Sequence, residues 1–240
     1  RLLRWAEPLE KEVAAGTRAR PLGALSLPAW IEGAGVAGTE GASGPRANRS
    51  IEGLAFTPQA DALWVAMESP LLQDGPEPDA QRGALLRFAR VPLAGGPTLA
   101  WTYEVDPVRR QGVAGRLRAD IGVSEILALS GGDLLVIERN GYEVADGQFA
   151  FAVRLFIADP RSATEVSRLP DLVGATVRPM PKRLLLDLSD LALSWVDNIE
   201  AAAWGPRLPD GRAVLILVSD DNFAPNQVTQ LIALAIEELP

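Results

Sequence analysis

Apolar residues fall along this chain in short paired runs, each pair split by a turn and bracketed by charge. The first pair is Ile51–Phe56 and Ala62–Met67, divided by a turn at Thr57–Asp61 that contains Pro58. Asn48, Arg49 and Glu52 open it and Glu68 closes it. The second pair, Ser124–Leu129 and Leu134–Glu138, is divided by Ser130-Gly131-Gly132-Asp133, and the third, Ile199–Trp204 and Ala213–Val218, by Pro209-Asp210-Gly211. A Gly-Gly-Asp turn between apolar runs is a strong hairpin signal. Both runs of the first pair are apolar almost throughout, which is the pattern of strands buried on both faces.

Further strands follow each pair. Ala84–Val91 and Thr98–Val105 complete a first set of four; Phe149–Ala158 and Thr164–Leu169 complete a second, with Leu184–Leu188 as an additional strand. Thr229–Ile236 is a third strand for the last unit. Upstream, Leu9–Ala15 reads as a short amphipathic helix, Leu22–Ile31 as a strand interrupted at Pro28, and Gly33–Arg46 as a linker. The acids Glu52, Glu125 and Glu200 recur at spacings of 73 and 75 residues. Four strands per interval is the unit of a β-propeller blade with enlarged loops, so the expected fold is an all-β propeller, incomplete in this chain. Residues 1–47 form an N-terminal segment and linker, read as the end of a preceding blade, and 48–240 the propeller domain.

Composition narrows the chemistry. The 19 prolines and 22 glycines among 240 residues suit a turn-rich protein. A net charge of −8 argues against a nucleic-acid partner, because phosphate neutralisation needs clustered Lys and Arg. No run of 18 apolar residues exists to span a membrane. The chain opens on Arg1 rather than Met, so the lack of a visible leader carries no weight. It has no cysteine and no histidine. That removes thiolate nucleophiles, Ser-His-Asp triads and His or Cys metal ligation, and leaves carboxylates, Lys, Arg, hydroxyls and hard cations.

Four ordered motifs carry a resemblance. They are Asn48-Arg49-Ser50-Ile51-Glu52-Gly53-Leu54-Ala55, Leu134-Leu135-Val136-Ile137-Glu138-Arg139, Pro181-Lys182-Arg183-Leu184-Leu185-Leu186-Asp187-Leu188 and Ser219-Asp220-Asp221-Asn222-Phe223. Over about residues 22–237 the chain resembles the phytase-like family, commonly described as having esterase-like activity of phytase. Ala201, where that pattern usually has Gly, and Asp221, where Asn is common, depart from it without breaking it. The resemblance implies a β-propeller whose earlier blades precede this stretch, hydrolysis of phosphoester or carboxylic ester bonds, and a secreted or periplasmic protein.

If the first run of each pair is the inner strand of a blade, Glu52, Glu125 and Glu200 stand near one mouth of a central channel, and Asp220 and Asn222 approach it. Crowded carboxylates repel unless a cation or protons intervene. Calcium, with many oxygen ligands and loose geometry, suits Glu52, Glu125, Glu200 and Asp220 best. The plainer and favoured reading is that these acids cap strand starts and pair with Arg49, Arg139 or Lys182. Those three cations are in turn the candidates to hold a small anionic or ester substrate, since arginine offers a planar fork to phosphate oxygens and lysine a point charge; here too, balancing a nearby Glu is the favoured alternative. Catalysis would be cation-assisted hydrolysis, with no nucleophile identified; Ser50, Ser69, Ser124 and Ser219 lack a histidine partner. The acidic loop Asp74–Asp79 reads as solvated, and Trp64, Trp101 and Trp204 as blade packing. A non-catalytic propeller that binds a ligand or protein, with structural calcium at most, is the other class of function.

Overall fold

The computed structural model describes residues 2–5, 21–31, 42–110, 118–145 and 147–237. Every regular element among them is a β-strand or a three-residue 3-10 turn. No helix is long and apolar enough to cross a membrane among the described residues. The segment Leu9–Ala15, expected to be helical, lies outside the described residues, as does most of the Gly33–Arg46 linker.

Strands β1 (Leu2–Trp5) and β2 (Pro21–Leu25) form an antiparallel ribbon. The strand expected over Leu22–Ile31 ends at Leu25, and Ala29–Ile31 forms a 3-10 turn closed by the Ile31 amide on the Pro28 carbonyl at 3.0 Å. Pro28, with no N–H and a fixed φ, starts that turn instead of extending the strand.

Three larger sheets follow in chain order. The first meanders through β3 (Ile51–Phe56), β4 (Ala62–Met67), β5 (Ala84–Pro92) and β6 (Leu99–Val105). The second runs through β7 (Ala119–Ala128), β8 (Leu134–Ala145), β9 (Gln148–Ala158) and β10 (Lys182–Asp187). The third comprises β11 (Ile199–Gly205), β12 (Ala213–Ser219) and β13 (Leu231–Ile236). Neighbouring strands pair antiparallel throughout. The chain is therefore all-β, built of blade-like meanders, as the repeat implied; the described strands do not close a ring.

The strand expected at Thr164–Leu169 is absent. Val166 instead donates to the carbonyl of Ala100 and Met180 to that of Thr102, so the stretch clips onto the edge of β6 in the first sheet. Val166, Leu169 and Leu172 then pack over the face formed by Leu63, Val65, Ala89 and Ala100. Burial of that face, rather than strand propensity, decides the path of the segment. The fourth strand of the second sheet is β10. Strand β8 runs on past Glu138 to Ala145 and pairs there with the start of β9, so the hairpin is longer than the apolar run.

Sheets meet through their first strands, β7 lying against both β3 and β11. Ala55, Trp64, Phe88 and Tyr103 of the first sheet share one apolar cluster with Ile121, Val123, Ile126 and Val136 of the second. Leu135, Ile137, Val153 and Leu155 share another with Ile199, Leu215 and Leu217 of the third. The approach is close enough to require glycine: a Cβ on Gly53 would sit 2.9 Å from Ile126 Cγ1. Strand β4 is buried at every position, as its unbroken apolar run implied, whereas β3 alternates and leaves Leu54 and Phe56 exposed. Trp64 and Trp101 pack together at 5.3 Å, while Trp204 remains partly exposed.

Each inner strand carries a bulge at the same place. Ile51 pairs with Met67 and Gly53 with Ala66, which leaves Glu52 as the extra residue. Val123 pairs with Glu138 and Glu125 with Ile137, leaving Ser124. Ile199 pairs with Ser219 and Ala201 with Val218, leaving Glu200. An extra residue redirects its side chain and those around it.

Candidate functional site

The bulges set the equivalences. Ser124, not Glu125, stands in the second sheet where Glu52 and Glu200 stand in the first and third, at spacings of 72 and 76 residues. On the partner strands, Glu68, Arg139 and Asp220 occupy matching positions, each one residue beyond the last pair before the bulge. The first sheet thus presents Glu52 and Glu68, the second Ser124 and Arg139, and the third Glu200 and Asp220.

Five carboxylates, from Glu52, Glu68, Asp120, Glu200 and Asp220, line an open cleft of about 620 Å³ together with Arg139. Arg139 bridges the sheets: its guanidinium contacts Glu200 on one side and reaches Glu68 Oε1 at 3.5 Å on the other. Asn198 Nδ2 donates to Glu200 Oε1 at 2.9 Å and steadies that carboxylate. Glu68 is 6% exposed. Its amide donates to Ser50 O at 2.8 Å and its carbonyl accepts from Val123 at 3.1 Å, so the backbone under it ties the first sheet to the second. Gly122 makes room, since a Cβ there would lie 2.8 Å from Glu68 Cγ.

Burial drives the electrostatics. It pushes the Glu68 carboxyl up to about 7, against the pull of Arg139 and Arg49. The Glu52 carboxyl is also raised, first by burial and then by the charge of Glu200. Burial raises Glu125 too, although its Oε1 accepts from the amides of Ile126 (2.8 Å) and Leu54 (3.2 Å). A carboxyl poised near neutrality in a cleft is the form that general acid–base chemistry requires.

Of the acids expected to hold calcium, Glu52, Glu200 and Asp220 line the cleft and Glu125 does not. Glu125 faces backbone amides, and Arg139 occupies the ground between Glu68 and Glu200. Among the described residues, no group of three or more Asp, Glu, His or Cys stands close enough to hold a metal ion. The donors as placed do not fit calcium, because a guanidinium already supplies the positive charge that a cation would bring.

The three expected substrate cations separate. Arg139 lies in the cleft. Arg49 stands at its edge, bound to Asp120 Oδ2 at 2.5 Å and Glu77 Oε1 at 3.3 Å. Lys182 is elsewhere, in a buried cluster where its Nζ meets Glu138 and, at 2.6 Å, Asp106 Oδ1. There Arg154 binds Asp106 at 2.8 Å and Glu138 at 3.2 Å, and the Tyr103 hydroxyl donates to Glu138 at 2.7 Å. The acidic loop is not simply solvated either: Asp74 is buried in a two-pronged pair with Arg87, Nε at 2.7 Å and Nη2 at 2.8 Å, while Asp79 stays exposed on Arg82. Hydrogen bonding and the fork of Arg87 compensate for that burial.

Glu68 and Asp120 were not among the residues singled out for the site. Glu68 ends the apolar run of β4 just as Arg139 and Asp220 follow theirs, and that shared position was the available signal. Asp120 lies ahead of Ser124, where the strand was expected to start, and β7 begins at Ala119.

Together, the blade-like sheets and the acid-lined, arginine-bridged mouth of their inner strands define an all-β protein with a charged cleft at the sheet junctions. The chain belongs to the phytase-like family: the model described as "Phytase-like: Esterase-like activity of phytase" matches residues 12–223. That description points to a hydrolase-like function. No curated protein and no solved structure gave a match.

Proposed function

We propose that the chain is a hydrolase of ester bonds, carboxylic or phosphoric, and that the inner-strand cleft is its active site. The observation that supports this most is the meeting of Glu68 and Arg139 there, a nearly buried carboxyl poised near pH 7 beside a bridging guanidinium. Ionised Glu68 takes a proton from water as the oxygen attacks the acyl or phosphoryl centre, and in its protonated form returns it to the leaving alkoxide. Arg139 offers N–H donors to the oxygen on which negative charge develops. Calcium enters this reading as an added ion that would have to compete with Arg139 for Glu68 and Glu200, with Glu52 and Asp220 alongside. The secreted or periplasmic location belongs to the same proposal; a leader in the reading frame upstream would support it.

A second reading, a non-catalytic binding propeller, is favoured by one feature: Glu68, Arg139 and Glu200 already form a continuous chain of pairs. Turnover of 4-nitrophenyl acetate and 4-nitrophenyl phosphate separates the two, assayed with chelator and with calcium. The hydrolase reading expects turnover of at least one by the wild type and its loss in Glu68→Gln and Arg139→Gln. Wild-type rates no higher than buffer for both esters would leave the binding reading standing.

A further inference from the structure

The mouth is short of unengaged positive charge. Among the described lining residues, its five carboxylates face one guanidinium, that of Arg139, which Glu68 and Glu200 already hold from both sides. Arg49 is engaged by Asp120 and Glu77, and Lys182 lies in the buried cluster around Glu138. Among the described residues that line the cleft, a ligand with several negative charges would therefore meet carboxylates and no unengaged cation. Like charges repel more strongly in a partly buried cleft than in bulk water. A neutral ester meets no such barrier, and the one developing charge of its transition state is within the capacity of Arg139.

Resting on the hydrolase reading, we propose that this mouth takes neutral or singly charged esters, carboxylic esters foremost, and rejects polyphosphorylated ones. Glu52 and Glu200 are the residues that set this preference. Glu200 restrains Arg139 directly and is itself held by Asn198. Glu52 stands at the equivalent bulge of the first sheet and adds negative charge to the same cleft. Specificity here arises from repulsion of the wrong ligand as much as from attraction of the right one.

The test compares wild type with a Glu52→Gln/Glu200→Gln double variant, the fold of each verified by circular dichroism. Binding of inositol hexakisphosphate, a compact polyphosphate, is measured by calorimetry in chelator and again in calcium. The affinity is expected to rise about tenfold or more in the double variant in both buffers. The kcat/KM ratio of 4-nitrophenyl acetate to 4-nitrophenyl phosphate is expected to fall about tenfold. Wild-type binding as tight as that of the variant, in either buffer, overturns the proposal. Because the calorimetry needs no turnover, a chain that hydrolyses neither ester removes the hydrolase reading and still leaves the charge preference to be decided. If the double variant does not fold, Glu52→Gln alone replaces it, with a rise of about threefold expected and no rise overturning the proposal.

Discussion

Glu138 and Arg139 are neighbours on β8 and belong to two different kinds of charge cluster. Glu138 points into the junction of the first two sheets, where two acids (Asp106, Glu138) meet two bases (Arg154, Lys182) and the Tyr103 hydroxyl. Arg139 points the other way, into a cleft where one guanidinium faces five acids. The buried cluster is balanced and saturated with short contacts; the cleft is unbalanced and open. Balance is what low-dielectric burial demands, since an unpaired charge there costs several kcal/mol. An imbalance persists only where solvent or a ligand can share it; in that cleft burial, opposed by Arg139 and Arg49, raises the Glu68 carboxyl towards a useful pKa. The contrast separates a structural lock from a candidate active site one residue away.

The comparison can be broken most decisively at Glu138. Its replacement in Glu138→Ala leaves Lys182 and Arg154 with Asp106 alone, and we expect stability to fall by about 3–5 kcal/mol in urea denaturation. A loss below about 1 kcal/mol would mean that the cluster is not a lock.

In the cleft the order of effects reverses, with activity suffering before stability. Glu68→Gln is expected to lower kcat/KM for the responsive ester by about 100-fold, in keeping with loss of an acid–base group. Its stability signature has a definite sign. The Glu68 carboxyl moves from its ordinary 4.5 to about 7 on folding, so between those values the folded chain holds more protons than the unfolded one. The contribution of Glu68 to stability is therefore complete below pH 4.5 and declines as pH rises to about 7. Midpoints measured across that window should slope downward in the wild type and flatten in Glu68→Gln. Identical slopes would place the carboxyl in an ordinary, solvated state.

Gly122→Ala sharpens the same point from below. Its Cβ would press on Glu68 Cγ and the Glu68 carbonyl, both at 2.8 Å, and we expect about 1–3 kcal/mol of destabilisation together with a displaced pH profile. A change in stability alone would show that Gly122 serves the strand junction and not the position of Glu68.

The smallest effect is expected at Ser124. Its hydroxyl is buried without a hydrogen-bond partner among the described residues, at the bulge where the flanking sheets carry Glu52 and Glu200. Ser124→Ala removes an unsatisfied group and should leave the melting temperature unchanged or raise stability by less than about 1 kcal/mol. A marked loss of activity in that variant would bring the hydroxyl into the cleft's chemistry.

Much of this was legible in the sequence. The paired apolar runs and their turns located β3, β4, β8, β11 and β12, because the length of an apolar run and the turn residues that end it are local properties of the chain. The recurrence of acids at blade-length spacing pointed to Glu52 and Glu200 at the mouth, and the run ending in Glu138 and Arg139 marked the place where charge enters it.

What the sequence by itself determined, then, was strand identity, the blade-length repeat and the supply of carboxylates without histidine or cysteine. Which carboxylates meet was decided by tertiary structure alone. A bulge shifts register by one residue, and in a strand one residue is the difference between opposite faces. So Ser124 took the position that spacing assigned to Glu125, Glu138 and Arg139 parted into a lock and a cleft, and Lys182 went with the lock. No local pattern records that choice, because it depends on how three inner strands pack against one another.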